Sequence, residues 1–182
     1  MAYSDLNPKL KDALLRLDAI LNLKGAKLTL LLGGASAMKI MDITPRDSKD
    51  IDNLRSLEYE VKLDIQKVGR EFNIEEDWLN DQASDIPLPD GAEDRIVEVD
   101  AGLKVIRVYC LSRKDLIAMK VNAVVTRSDE RDFIDIKSSN VTLDEFLFAV
   151  DYITKKQRPD DEEFCRYQDE DIAELRKGLF GK

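Results

Sequence analysis

The chain has 182 residues, with 37 Asp plus Glu against 28 Lys plus Arg, a net charge of −9 and no histidine. The missing histidine excludes Ser-His-Asp and Cys-His catalysis, a histidine general base and His-ligated zinc. Two cysteines, Cys110 and Cys165, are too few for a Cys-only zinc site or a disulfide scaffold, so chemistry falls to carboxylates, Lys, Arg, Ser/Thr, Tyr or Cys, and a metal would be oxygen-ligated, of the Mg²⁺ or Mn²⁺ kind.

In chain order, Asn7-Pro8 is a helix start, with Asn as N-cap and Pro in the first turn. Leu10, Leu14, Leu17 and Leu21 follow at helical spacing, Leu6 is a staple residue before the cap, and Gly25 stops the helix. Lys27 to Leu32 reads as a buried strand, Ala35 to Met41 as a short helix and Asp50 to Leu54 as a second strand. Leu57, Val61, Ile65 and Val68 form one apolar stripe on a helix ending at Phe72. Residues 75–91 are loop-rich, with Pro87 and Pro89 as breakers and a helical turn near Trp78. Arg95 to Val99 and Leu103 to Tyr109 alternate as strands joined at Asp100-Ala101-Gly102. Ser112 caps a helix to about Thr126, and Ser128 caps another from Asp129 to Lys137. Thr142 and Glu145 form a capping box for a helix to about Lys156. Pro159 breaks it, and Asp161 to Lys177 is the last helix, ended by Gly178.

The expected class is α+β: one small mixed sheet, flanking helices and a helical C-terminal half. The expected division is an α/β part over 1–110 and a helical part over 111–182 packed on it as one compact domain. The N-terminus lacks the basic flank and apolar stretch of a signal peptide, and no apolar run approaches a membrane span. The expectation is a cytoplasmic protein with reduced cysteines. Its acidity is local. Glu75 to Asp100 carries ten acids and one base, and Asp160 to Glu174 eight acids and one base, which leaves the remainder at +7. An acidic chain disfavours broad nucleic-acid binding, yet that remainder admits a polyanionic ligand. The run Asp160 to Glu163 suits a helix N-terminus, with a docking face for a basic partner as the alternative.

The informative stretch is Leu31-Leu32-Gly33-Gly34-Ala35-Ser36, followed by Asp50-Ile51-Asp52. A strand enters a Gly-Gly turn and a helix begins there. Glycines let a ligand approach the backbone, and a helix N-terminus favours phosphate. Ser36 could add a hydroxyl. Asp50 and Asp52, two apart in a strand, would share a face and hold a divalent cation. The plainer alternative is a tight turn and two surface acids. Lys120 and Arg127 share a helical face, and Lys120, flanked by Leu116 and Ala123, needs an anionic partner. A triphosphate would serve, and so would Asp132 or Asp135; Arg131 and Asp135 also stand at i, i+4. Trp78 is a core anchor for a long loop or a wall of a base pocket near Asn80 and Asp81. Cys110 is a small buried residue rather than a nucleophile.

Gly33-Gly34-Ala35-Ser36 with Asp50-Ile51-Asp52 resembles the signature of the nucleotidyltransferase superfamily, the polymerase-beta-like fold. The closer resemblance is to AbiEii-type and related uncharacterised bacterial proteins, which share Thr44-Pro45-Arg46 before Asp50 and, later, Lys120, Arg127, Arg131-Asp132 and Asp135. The resemblance spans residues 28–137. It implies a nucleoside triphosphate and Mg²⁺ or Mn²⁺ as ligands. Gly33, Gly34 and Ser36 would hold phosphates, Asp50 and Asp52 the metal. Lys120 and Arg127 would face the triphosphate, and Asp135 would order the site. It implies transfer of a nucleoside monophosphate to an acceptor hydroxyl on RNA or protein, and a toxin-like half of a toxin–antitoxin pair with a cognate antitoxin-like protein. A catalytically inactive binding or interaction module is the alternative. The fuller superfamily pattern has a third carboxylate on a later strand. Glu98 and Asp100 are the candidates, and neither fits well.

Overall fold

The computed structural model describes residues 6–127, 129–156 and 160–181. They fall into two compact units. One joins Met1–Ile86 to Arg95–Leu111, the other Pro87–Asp94 to Ser112–Lys182. The fold is α+β, with a small mixed sheet and a predominantly helical C-terminal half.

In the mixed unit, α1 (Pro8–Leu23) starts as its sequence requires, with the Asn7 carboxamide accepting the Lys9 N–H at 3.0 Å. Its four-leucine stripe is buried, and so is the predicted stripe of α3 (Tyr59–Phe72) against which α1 packs. The sheet has the order β1-β5-β4: β1 (Leu28–Leu32) runs parallel to β5 (Ile106–Cys110), and β4 (Val97–Val99) antiparallel to it. Crossing from β1 to a parallel strand needs a long connection, and the chain uses it to build the candidate site. The entry to β5 is fixed by a buried charge. Asp18 of α1 accepts N–H groups of Lys104, Val105 and Ile106 at 3.0, 2.8 and 3.0 Å. Burial pushes its pKa up, but these three donors outweigh it and leave the carboxyl below its ordinary value.

Several boundaries differ from the sequence expectation. The second strand is only β2 (Ile51–Asp52), so Asp50 lies in the bend before it. The loop after α3 contains β3 (Leu79–Asn80), parallel to β2, which the sequence did not reveal. A 3-10 turn occupies Ala92–Arg95, and the β4–β5 connection is longer than a tight hairpin. Trp78 is fully buried and donates its indole N–H to Ile65 O at 2.9 Å, as a loop anchor should.

The helical unit contains α4 (Arg113–Arg127), α5 (Glu130–Ser138), α6 (Leu143–Lys156) and α7 (Glu162–Phe180). Its core includes Ile117, Val121, Ile136, Phe146 and Ile153, and Phe146 meets Phe180 edge-on at 5.6 Å. The capping box of α6 forms: Thr142 N–H reaches Glu145 Oε2 at 2.9 Å and Glu145 N–H reaches Thr142 Oγ1 at 3.2 Å. Arg113 holds the same Glu145 at 2.8 Å. The N-cap of α5 is Asp129; the expected cap Ser128, and the breaker Pro159, lie outside the described residues. Helix α7 passes through Gly178 and ends at Gly181, three residues later than expected, because Gly181 adopts the left-handed conformation and Gly178 does not. Pro87–Asp94 belongs to this unit, tied by Tyr152 OH to Pro87 O at 2.7 Å and by Lys156 to Asp90 at 2.9 Å.

Candidate functional site

The chain leaves β1 at Leu32 and turns at Gly33 into α2 (Gly34–Ile40). Gly34 has φ +61°, a conformation that strongly favours glycine. A Cβ built there would lie 1.9 Å from Asp52 Oδ2. The Asp52 carboxylate therefore sits directly against the backbone where the helix opens. A Cβ on Gly33, by contrast, would press on the Leu54 side chain at 2.8 Å, and its backbone is extended. Gly33 is a packing requirement, and Gly34 is a requirement of both conformation and space.

Asp52 is held there by backbone and side-chain contacts. Gly33 N–H donates to Asp52 O at 3.0 Å, Leu54 N–H to Leu31 O at 2.8 Å, and Leu32 bridges Asn53 antiparallel. Asn53 is fully buried and accepts the Leu31 N–H at 2.9 Å while donating to Arg55 O. On the other side β3 pairs in register, Asp52 with Asn80, and Asn80 Nδ2 reaches Asp52 Oδ1 at 3.4 Å. Asp50, on the preceding bend, is exposed and accepts the Ser48 hydroxyl at 2.9 Å. The loop leading to it is fastened by Lys39, which reaches Pro45 O at 2.6 Å and Asp47 at 3.4 Å. Ser36 is fully buried, and its hydroxyl has no hydrogen-bond partner among the described residues.

The second predicted cluster lies in the helical unit. Lys120, 8% exposed, places its ammonium 2.8 Å from Asp132 and 3.1 Å from Asp135. Of the partners foreseen for it, the two carboxylates are the ones in contact. Asp135 is fully buried, and Asp132 is half-buried. Arg131 reaches Asp129 at 2.7 Å. That contact and the Arg131 N–H hold the Asp129 carboxyl down at about 2. Arg127 ends α4 and is exposed. Cys110 is inert, since burial pushes its thiol up to about 12.

Residues 11–175 match a family model described as a nucleotidyltransferase of unknown function (DUF6036). The chain belongs to this nucleotidyltransferase family. No curated protein and no solved structure matches it.

In this member of the family the third-carboxylate candidates make other contacts. Glu98 pairs with Arg107 at 3.0 Å on β4, and Asp100 accepts the Gly102 N–H at 3.0 Å in the turn beyond. The neighbour of Asp52 on the adjoining strand is an amide, Asn80. Among the described residues no group of three or more Asp, Glu or Cys is placed to hold a metal. The carboxylate against Gly34 is that of Asp52, a hard oxygen ligand of the kind Mg²⁺ takes when phosphates and water complete its shell, and it occupies the space that a Gly34 Cβ would take. Sequence reasoning missed Ser48 and Asn53, and named Asn80 only as a neighbour of a base pocket at Trp78, not as the partner of Asp52. The signal was available only in part: Asn53 directly follows Asp-Ile-Asp, but a polar residue at a strand end reads as a turn. Among the described residues no helix is long and apolar enough to cross a membrane.

Proposed function

We propose that the chain moves a nucleoside monophosphate from a triphosphate to an acceptor hydroxyl on RNA or protein. The observation that carries this reading is the approach of the Asp52 carboxylate to Gly34 at the mouth of α2. An open backbone and a carboxylate at one point suit a metal-bound polyphosphate, and family membership supports the reaction class.

In this reading the side-chain-free turn at Gly33-Gly34 admits phosphate oxygens at the mouth of α2, and Ser36 contributes a hydroxyl that has no hydrogen-bond partner among the described residues. Asp50 and Asp52 hold Mg²⁺ or Mn²⁺, which when bound neutralises phosphate charge. Asn80 and Ser48 orient those two carboxylates. Within the helical unit, Asp135 sets the position of Lys120. The acceptor oxygen bonds to the α-phosphorus, the bond to the bridging oxygen breaks, and pyrophosphate leaves. The order of Gly33-Gly34, Asp50-Ile51-Asp52, Lys120 and Asp135 further supports kinship with AbiEii-type proteins, and with it a toxin-like role opposite an antitoxin-like partner.

A second reading, an inactive nucleotide-binding module, draws on Asn80 standing beside Asp52 where a carboxylate would add a ligand. One experiment separates the two. The chain is incubated with Mg²⁺, each α-labelled triphosphate in turn and total cellular RNA and protein. The transferase reading predicts label on a macromolecule, lost in the Asp50→Asn/Asp52→Asn variant. Triphosphate binding that requires Asp52, with no transfer to any acceptor, favours the module.

A further inference from the structure

The helical unit carries a cleft of about 380 Å³ bounded by the last turn of α4, the start of α5 and the C-terminal half of α7. Val125, Phe133 and Leu175 give it an apolar lining, and Glu130, Asp171 and Glu174 bring carboxylates to it. Asp129 lies at the same lip, engaged by Arg131. Among the described residues, no basic one lines the cleft.

Two observations mark it as more than a dent between helices. The first is Gly178, which lines the cleft within α7. Glycine is a poor helix former, so a helix interior normally has a reason to hold it. Here the backbone does not require it, because its φ is not positive, and a Cβ would meet nothing within 4 Å. Glycine leaves this wall of the cleft bare, where any larger side chain would project into it. The second is continuity along the helix. Phe164 and Tyr167 are 66% and 47% exposed, and with Asp171, Glu174 and Gly178 they recur at the spacing of a single face. From Phe164 to Gly178 that face is roughly 21 Å long at the rise of an α-helix, enough for a partner helix of about 14 residues.

We propose that this face is a docking site for a basic amphipathic helix of a partner protein. Apolar anchors at i, i+3 or i+4 and i+7 would fill the cleft and cover Tyr167 and Phe164, while flanking Lys or Arg residues meet the carboxylates. The segment Asp160 to Glu174, with eight acids and one base, extends the complementary field. The same charge repels a nucleic-acid backbone. The site is independent of the transferase reading.

The probe is a fluorescein-labelled helical peptide of about 14 residues, leucine at the anchor positions and lysine elsewhere, titrated into the full chain. Saturable binding is expected, weakening as salt rises. Gly178→Trp should fill the cleft and weaken binding by about tenfold or more, as loss of a buried anchor does. Glu130→Gln/Asp171→Asn/Glu174→Gln should weaken it by about three- to tenfold and remove most of the salt dependence. Circular dichroism melting checks that both variants fold, and the triple variant keeps the test intact if Gly178→Trp does not. Equal binding by wild type and the folded variants overturns the proposal. So does preference for an oligo(U) RNA over the peptide. A dimer seen by sedimentation, dissolved by Gly178→Trp and not displaced by the peptide, assigns the face to a second copy instead.

Discussion

The Gly34–Asp52 corner and the Lys120–Asp132–Asp135 cluster were suggested by the same resemblance, and they are built on opposite principles. At the corner, local geometry leaves space. A left-handed glycine and the absence of a Cβ let a half-buried carboxylate lie against the backbone, with a long 3.4 Å amide contact from Asn80. In the helical cluster, charge is closed on itself. An ammonium and two carboxylates lie within 3.1 Å in a region shielded from water. A buried ion pair is self-contained, since breaking it strands a buried charge, whereas glycine takes the left-handed conformation at position 34 without strain and there leaves room for the Asp52 carboxylate. The contrast supports placing the proposed site at the corner, and gives Lys120 a structural role in the helical unit.

The largest effect should come from breaking the closed cluster. Lys120→Met leaves the fully buried Asp135 without its ammonium, and should cost about 3–5 kcal/mol in urea unfolding. Lys120→Met/Asp135→Asn should recover much of that loss. If transfer activity returns with stability, Lys120 is structural alone; if activity stays lost, it also serves the triphosphate.

Next comes the corner itself. Gly34→Ala meets Asp52 Oδ2 and a φ of +61° at once. The backbone term alone is about 1–2 kcal/mol, and the carboxylate must move as well. Gly33→Ala displaces only flexible Leu54 methyls and should cost about 1 kcal/mol, within the range of mild overpacking. Equal losses from the two glycines, in melting temperature and in transfer, would erase the distinction drawn between them.

A smaller effect tests the helical unit without touching the cluster. Glu145→Ala removes the capping-box acceptor and the partner of Arg113, for about 1–2 kcal/mol. Burial raises the Glu145 pKa, but Arg113 and Thr142 outweigh it and leave it lowered. A depressed folded pKa means that its stabilisation is full above the ordinary carboxylate range. It is lost as pH falls below about 4, through the folded value. Asp18 in the mixed unit has the same sign, held by three strand N–H groups. Acid titration of Glu145→Gln and Asp18→Asn, followed by circular dichroism, should show each variant flatter than wild type below about pH 4.

Legibility in the sequence followed the range of the interaction. The leucine stripe of α1, the stripe of α3 and the Thr142–Glu145 box are local patterns, and they appear where expected. The end of α7 was misplaced because Gly178 and Gly181 look alike until φ is known. Strand β3 was invisible because two residues carry no periodicity; it exists through pairing with β2. The shared face for Asp50 and Asp52 presumed a strand from 50 to 54, and the strand begins only at Ile51. The motif named Gly34 and Asp52 but could not show that one requires the other. That fact depends on a separation of 18 residues closed by the Leu32–Asn53 bridge and by Gly33 N–H to Asp52 O. Lys120 was readable as a lysine in need of an anion, and which anion took a structure to decide.

The central claim is that the corner formed by Gly34 and Asp52 binds a metal-bound triphosphate. The most direct test is thermal unfolding of wild type and Asp52→Asn with each of the four triphosphates, with and without Mg²⁺. A ligand at a hundred times its dissociation constant contributes about 2.7 kcal/mol to the native state. For a chain of this size, that is a rise of about 5 °C or more. The account predicts such a rise in wild type with at least one triphosphate, only with Mg²⁺, and its loss in an Asp52→Asn variant whose own melting temperature is nearly unchanged. The same rise in Asp52→Asn, or no rise with any triphosphate, would contradict it.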